Sequence, residues 1–501
     1  MRLDEIDMQL AYLLDSLFPI SSEVDRPISG LYLNSREVQA NGLFFAIKGA
    51  HLDGRTYIPD AISRGASAIL VDGASSLSWE GEVPVIALPY LQKQVGQLAA
   101  HFYDYPLQSL RVLGVTGTSG KTSCTHFLAQ ILQELHIPCG LIGTLGSGFY
   151  GALGEAGLTT PDAISLQKIA KQLYDGGAKA LAMEVSSHSI AQERIQAITF
   201  ELGIFTNLSQ DHLDYHGDMA TYASVKYQFL AEAATKQVVI NVEDAYGQKW
   251  LPDLAAIKTV YAYSTRPPSE FQAHIHYVYA DSVLLSAQGV QARVHTPWGE
   301  SDLFLPLLGQ FNLSNALAVL TALCVYGLPF DAVIKQLAQL KAVPGRMQAI
   351  HQQNKPVVIV DYAHKPDALE KVLSTLRSLT SGKLFCVFGC GGERDRGKRP
   401  LMAKIAEELA DQVIVTNDNP RHENPEVIAA EIAQGFRFPE RVCVELDRSK
   451  AIEKSIQWAA AGDCILIAGK GAEHYQQIGD EKFPFDDVDK AGFYLSKCRV
   501  D

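Results

Sequence analysis

Apolar and polar positions alternate along the chain in short blocks. Compact apolar runs occur at 42–47, 68–71, 111–115, 180–183, 357–360, 384–388, 412–416 and 464–468, the pattern of strands buried on both faces. Longer stretches with helical spacing separate them, among them 121–135 and a segment ending near 341. Strand and helix alternating in this way predict an α/β fold with largely parallel sheets. The pattern breaks at Tyr105-Pro106 and at Val343-Pro344-Gly345-Arg346. Three α/β domains are expected, at 1–106, 107–343 and 344–501: a small first one, a central one with a mostly parallel sheet around a phosphate loop, and a Rossmann-like third. No internal repeat or long polar linker interrupts them.

Composition narrows the class. Of 501 residues 47% are hydrophobic, enough for each domain to bury a core, and 39 Gly with 22 Pro is an ordinary share that excludes collagen-like and low-complexity chains. The net charge of −13 argues against a nucleic-acid binder, whose affinity comes from neutralising phosphates. Anionic substrates are then held through local clusters of cations and backbone amides. The N-terminal MRLDEIDMQL lacks a basic segment followed by an apolar core, and no apolar run approaches the roughly 18 residues of a membrane span. Eight scattered cysteines with no CxxC pair read as reduced thiols. A cytoplasmic protein without membrane insertion is expected.

The clearest chemistry lies at Thr116-Gly117-Thr118-Ser119-Gly120-Lys121-Thr122-Ser123, which follows a strand and opens a helix. Glycines there let backbone N–H groups converge on phosphate oxygens at a helix N-terminus. Lys121 can then contact the outer phosphates of a nucleotide, and the Thr122 hydroxyl can ligate Mg²⁺. The strict GxxxxGK[ST] spacing fails because Val115 stands where it needs its first glycine, so Gly117 makes a tighter variant. A GTPase is disfavoured, since Asn354-Lys355-Pro356-Val357 lacks the Asp of NKxD. A dinucleotide enzyme is disfavoured too, because Arg394 takes the last glycine position of GxGxxG in Gly389–Arg394. ATP chemistry on an anionic substrate fits better. Polar groups cluster after the middle strands, at Glu184-Val185-Ser186-Ser187-His188 and at Asp211-His212-Leu213-Asp214-Tyr215-His216-Gly217-Asp218. Glu184 is a candidate Mg²⁺ ligand, while the HxDxHxD run leaves zinc or a plain capped loop as alternatives.

Together these segments resemble the Mur ligase family of ATP-dependent amide-bond ligases in peptidoglycan precursor synthesis. The likeness rests on TGTSGKT at 116–122, MEVSSH at 183–188, FTNLSQDHLDYHG at 205–217, LGQFNLSNALA at 308–318 and PGRM at 344–347. It continues through VDYAHKPD at 360–367, FGCGGERDRGKRP at 388–400 and NDNPRHENP at 417–425. Within the family the chain is similar to ligases that add the third amino acid to UDP-N-acetylmuramoyl-L-alanyl-D-glutamate, and Asp418-Asn419-Pro420-Arg421 resembles the version selecting meso-diaminopimelate over lysine. The alternatives are the same reaction with L-lysine, or another Mur or folylpolyglutamate-type ligase.

The resemblance also implies roles. The first domain would bind uridine through Leu33, Ser35, Ala50, His51 and Leu52, with Asn34 replacing the family's usual Asp. Lys121, Thr122, Glu184, His212 and Lys226 would serve two Mg²⁺ ions and ATP, Lys226 as a carbamylated N6-carboxylysine. From the residues alone, Lys226 reads as a solvated helix lysine. Asn312 and Asn315 would flank adenine, and Arg346 and Asp361 would contact ATP, which implies domain closure. Leu158, Thr159, Thr160, Ser186, Gln192 and Arg194 would hold the muramoyl dipeptide. Arg394, Asp418, Asn419, Pro420, Arg421, Gly469 and Glu473 would hold the amino acid, with Ala472 replacing the family's usual His. His212 or His364 could act as general base, and a monomer is expected.

Overall fold

The computed structural model describes residues 7–49 and 52–497. Ala50 and His51, expected at the uridine site, and Cys498 lie outside the described residues. The chain divides into two compact units, Met1–Tyr261 and Ala262–Asp501.

Besides a two-stranded ladder of Met8–Gln9 with Pro27–Ile28, the first unit holds strands of two larger sheets. Gly30–Tyr32, Gly42–Ala46, Ala66–Asp72 and Val83–Leu88 run parallel, and Ser76–Glu80 adds an antiparallel edge. One face packs Leu43, Phe45, Leu70 and Ile86 against Leu91, Val95 and Leu98 of the helix Leu91–Phe102, together with Ala163 and Ile164 of the helix Ala163–Asp175. The larger sheet places Cys139–Gly143, Ala180–Glu184, Arg111–Thr116, Phe200–Phe205 and Thr235–Asn241 side by side and parallel. Helices cover both faces of such a sheet, which is why its strands are near-continuous apolar runs. The carboxyl ends of the three middle strands deliver Glu184, Thr116 and Phe205 to one edge.

Thr259–Ser264 crosses the division between the units. In the second unit, His276–Ser286, Gly289–Thr296 and Gly299–Leu305 form an antiparallel meander, an element the strand–helix alternation did not suggest. It is followed by the helix Gln310–Tyr326, buried on nearly all sides. The helical stretch expected to end near 341 stops at Leu337, because Gln339 and Leu340 donate to carbonyls three residues back and tighten into turns. The last sheet runs Gln348–Ile350, Val357–Asp361, Cys464–Ala468, Leu384–Phe388, Gln412–Val415 and Cys443–Val444, parallel apart from its first strand. The last of its strands in sequence, Cys464–Ala468, is third in space, inserted between Val357–Asp361 and Leu384–Phe388. Open sheets bind ligands outside the carboxyl ends of strands at such reversals of order. Seven cysteines are free among the described residues, all but Cys443 buried, and burial pushes the Cys139 thiol up to about 12.

Candidate functional site

The loop after Arg111–Thr116 takes its shape from two glycines. Gly117 has φ +149° and a Cβ there would stand 1.9 Å from Thr206 Oγ1, so no other residue fits. Gly120, at φ +86°, caps the helix Lys121–Glu134. The next strand's loop braces this turn: Asn207 Oδ1 accepts the Ser119 N–H at 3.0 Å, Thr206 Oγ1 donates to Ser119 O at 2.6 Å, and Thr118 Oγ1 accepts the Ser209 N–H at 3.0 Å. Lys121 Nζ folds back onto the carbonyls of Gly117 and Thr118 at 2.8 and 3.0 Å, and Thr122 and Ser123 are buried behind it. Cradled amides, a helix N-terminus and a lysine over the loop form an anion site.

Lys226 overturns what the bare sequence suggests. It sits on the helix Met219–Ala231, is 1% exposed, and donates to Gly117 O at 2.9 Å and Thr116 Oγ1 at 3.3 Å. A lysine reads as solvated only while its helix has no known neighbour; here that helix packs behind the phosphate loop. Glu184 is also 1% exposed, and its carboxylate accepts the Thr144 N–H at 2.9 Å and hydroxyl at 3.1 Å. Thr144, at the end of an apolar run, was not among the expected site residues. One network joins the expected dipeptide residues to this point. Thr144 Oγ1 lies 3.2 Å from Thr159 Oγ1, and Thr160 Oγ1 donates to Glu184 O at 2.7 Å and accepts the Ser186 N–H at 3.1 Å. Arg194 donates to Thr160 O at 2.7 Å and to Gln192 Oε1 at 3.1 Å, while Leu158 is exposed beside them.

His212 adopts φ +54°, with Nε2 3.1 Å from Asp211 Oδ2 and its ring 4.8 Å from that of His188. Of the rest of the HxDxHxD run, His216 packs its ring 5.6 Å from the same His188 and its Nε2 meets Ser187 Oγ at 2.9 Å, while Asp218 caps its helix through the Thr221 N–H at 2.7 Å. Among the described residues no group of three His, Cys, Asp or Glu side chains is placed to hold a metal, which leaves the zinc alternative unsupported. In the segments that follow the strands Gly30–Tyr32 and Gly42–Ala46, Ser35 is buried and Leu33 and Leu52 are exposed. Asn34 Oδ1 accepts the Arg36 N–H at 3.1 Å, a capping role that Asp would fill equally.

In the second unit Asn312 and Asn315 lie buried on the helix Gln310–Tyr326, three residues apart and so on one face, with Asn312 Nδ2 donating to Leu308 O at 2.8 Å. Asp361 accepts the N–H groups of Met347 and Ala363, each at 2.7 Å. Burial raises its carboxyl above the usual range while nearby Arg346, stacked 4.3 Å from the Tyr362 ring, pulls it down. His364 Nδ1 donates to Tyr362 O at 2.8 Å, and burial with Lys365 and Lys398 nearby lowers its imidazole to about 3. It is a weak base.

Loops from three strands then converge. Arg421, at φ +52°, donates from Nη1 to Gly392 O at 2.7 Å, and a Cβ on Gly391 would lie 3.1 Å from that nitrogen and 3.6 Å from Arg394 Cγ. Glu423 is engaged elsewhere: buried Arg399 holds it at 2.7 and 2.8 Å, and Arg399 also donates to Gly391 O at 3.2 Å. Asn419 Nδ2 donates to Glu473 Oε2 at 2.9 Å. Asp418 Oδ2 sits 2.5 Å from where a Gly469 Cβ would be, and Pro420, between Asn419 and Arg421, is buried. Arg394, Asp418, Asn419, Pro420, Arg421, Gly469 and Glu473 are thus brought together at the carboxyl ends of neighbouring strands. Arg399 and the buried Lys470 in the same cluster were not among the expected residues; Lys470 alone carried a sequence signal, a cation between two glycines after an apolar run.

Known proteins share this organisation. Three family models match in order: Mur ligase family, catalytic domain, over 27–103; Mur ligase middle domain over 115–323; and Mur ligase, glutamate ligase domain, over 345–471. A UDP-N-acetylmuramoyl-L-alanyl-D-glutamate--2,6-diaminopimelate ligase of Coxiella burnetii is 46% identical over 465 residues, covering 93% of this chain and 95% of its own. The Pseudomonas putida protein of the same name is 46% identical over 481 residues, covering 95% and 97%. A solved structure of a ligase with that name matches with a TM-score of 0.69 at 32% identity, over 98% of this chain and 99% of its own. A folylpolyglutamate synthase of Mycobacterium tuberculosis shares the fold at 20% identity and a TM-score of 0.62, over 75% of this chain. With three α/β domains matched in family order and relatives aligned over nearly its whole length, this chain belongs to the Mur ligase family.

Proposed function

We propose that this chain joins an amine of meso-2,6-diaminopimelate to the D-glutamyl γ-carboxylate of UDP-N-acetylmuramoyl-L-alanyl-D-glutamate, driven by ATP. The observation that carries it is the pairing of a lysine-bearing phosphate loop with a separate pocket containing both Arg421 and Glu473, alongside relatives of that name at 46% identity. The three domains are assigned to 1–106, 107–343 and 344–501, for UDP-muramoyl dipeptide, ATP and amino acid respectively, in a cytoplasmic monomer.

A carboxylate resists attack by an amine because oxide is a poor leaving group. Transfer of the ATP γ-phosphoryl group to it forms an acyl phosphate; the amine then attacks, and phosphate leaves from the tetrahedral intermediate. Lys121 and the 117–122 amides neutralise the transferring phosphoryl oxygens. Asn312 and Asn315 are assigned to adenine, and Arg346 and Asp361 to the nucleotide. Thr159, Thr160, Ser186, Gln192 and Arg194 hold the dipeptide, whose uridine end belongs to Leu33, Ser35 and Leu52. His364, with its low pKa, is a poor general base.

Two Mg²⁺ ions suit the donor set. Glu184 is a buried carboxylate whose partners among the described residues are the neutral N–H and hydroxyl of Thr144, an arrangement that leaves its charge to be met by a cation. Thr122 and Glu184 would hold one ion, and His212 with an N-carboxylated Lys226 the other; as an ammonium Lys226 cannot ligate. When bound, Mg²⁺ offsets the negative charge gathering on the phosphoryl oxygens. The test is phosphate release with the UDP-dipeptide against a panel of amino acids. Release with meso-diaminopimelate far above all others is expected; release with none would refute the assignment.

A further inference from the structure

Lys470 follows the strand Cys464–Ala468 and is 0% exposed, although lysine is among the costliest residues to bury. The backbone forces it inward: Gly469 has φ +116° and Gly471 φ +54°, two left-handed turns that swing the intervening side chain under the loop. There Nζ donates to Asn419 Oδ1 at 2.9 Å and to Glu473 Oε2 at 3.0 Å, and Asn419 Nδ2 donates to the same Glu473 Oε2 at 2.9 Å. The three side chains close a triangle. A fourth contact, the Gln477 N–H to Asn419 Oδ1 at 2.9 Å, adds a second donor to that oxygen.

We infer that Lys470 is a positioning residue that sets which atoms Asn419 and Glu473 present to the amino-acid substrate. The logic is a donor count. An ammonium has only donors, and so does a backbone N–H. With both aimed at one end of the Asn419 side chain, that end must be the oxygen, and the NH₂ must face the other way. One of its hydrogens goes to Glu473, leaving the second to meet a ligand acceptor such as a carboxylate. The same lysine saturates Glu473 Oε2, so Oε1 is the oxygen left for a ligand ammonium. Lys470 thereby builds an adjacent donor and acceptor, complementary to an amino-acid centre that carries both carboxylate and ammonium.

This inference rests on the proposed assignment of Asn419 and Glu473 to the amino acid. The test is steady-state kinetics of the full chain with all three substrates varied, on Lys470→Met, Lys470→Arg, Asn419→Ala and the Lys470→Met, Asn419→Ala double variant. Lys470→Met keeps the length and removes the donors. It is expected to raise KM for meso-diaminopimelate by about tenfold or more, with KM for ATP and UDP-dipeptide within about twofold of the parent. Lys470→Arg, which retains donors and charge, is expected to recover much of that loss. In the double variant the lysine substitution should cost little beyond Asn419→Ala alone, because the group it positions is gone. An even rise in all three KM values, additive costs, or an arginine variant as poor as the methionine one would overturn the inference in favour of a merely structural lysine. Should Lys470→Met fail to melt cooperatively, Lys470→Arg is read by itself: a rise confined to the amino-acid KM supports the inference, and an even rise overturns it. If Asn419→Ala itself leaves that KM unchanged, the assignment of the pocket fails; if it raises KM while Lys470→Met does not, only the role of Lys470 fails.

Discussion

Replacing Arg421 by alanine tests the amino-acid pocket most directly. One guanidinium nitrogen is anchored to Gly392 O at 2.7 Å, and the side chain is half-buried beside Arg394 across Gly391. Glu423, the obvious carboxylate partner two residues on, is taken by Arg399 instead. The fork's remaining N–H groups are therefore available to a ligand carboxylate, in the bidentate geometry that guanidinium favours. The left-handed backbone at φ +52° is the same for arginine and alanine, so strain largely cancels in the comparison. Truncating one partner of a buried charge pair costs about 2–5 kcal/mol, and about 1.4 kcal/mol is tenfold, so kcat/KM for meso-diaminopimelate should fall by roughly 30-fold or more. KM for ATP and for the UDP-dipeptide should hold. Arg421→Lys keeps the charge and loses the fork, and is expected to fall between the two. In the parent enzyme L-lysine should be a poor substrate, since it brings no distal carboxylate to Arg421. Phosphate release with each amino acid reads all of this. Comparable turnover of lysine and diaminopimelate by the unmutated enzyme, or an equal loss for all three substrates in Arg421→Ala, would refute the reasoning.

Lys121→Ala should lower turnover by about 100- to 1,000-fold with an unchanged melting temperature, as the role proposed for its nitrogen at the phosphoryl oxygens requires; near-parental ligation would defeat that role. Lys226→Ala should lose about two orders of magnitude or more, with partial rescue by a small carboxylic acid, and mass spectrometry under CO₂ should find the carbamate on the parent; full activity of the alanine variant would remove Lys226 from the site. Burial holds His364 near a pKa of about 3, while in the unfolded chain it titrates near its ordinary value of about 6.5. Its stabilising contribution is therefore complete above about pH 6.5 and lost as the pH falls toward 3, so the melting temperature of His364→Gln should decline less than the parent's between neutral and mildly acidic pH. Arg448 and Asp487 are both 0% exposed and paired at 2.7 Å, with Arg448 also donating to Ala468 O at 3.0 Å, so Arg448→Met should destabilise by about 3–5 kcal/mol in denaturant titration. A change under about 1 kcal/mol would mean that the uncompensated Asp487 finds water.

Local order was legible in the sequence because it depends on neighbours along the chain. The apolar runs at 384–388 and 464–468 coincide with the strands Leu384–Phe388 and Cys464–Ala468, and the helix expected from 121 runs Lys121–Glu134. The glycine loop could be read in the same way: glycines, lysine and threonine in sequence between a strand and a helix admit few other conformations. The meander His276–Leu305 escaped notice because its alternating strands do not carry the continuous apolar runs of a parallel sheet.

What the tertiary structure decided is the environment of charge. Lys226 and Lys470 have unremarkable sequence neighbours, yet each is 1% exposed or less, because strands and loops distant in the chain close over them. Lys226 meets Thr116 and Gly117 across 110 and 109 positions of sequence, and Lys470 meets Asn419 across 51. His212 and His216, four apart in sequence, are likewise gathered by a residue distant in the chain: both rings pack against that of His188, and against that of Tyr222 as well. Periodicity tells which face of an element is buried, but not what it is buried against. The protonation, pairing and orientation of a side chain depend on that second fact, and only the packed fold supplies it.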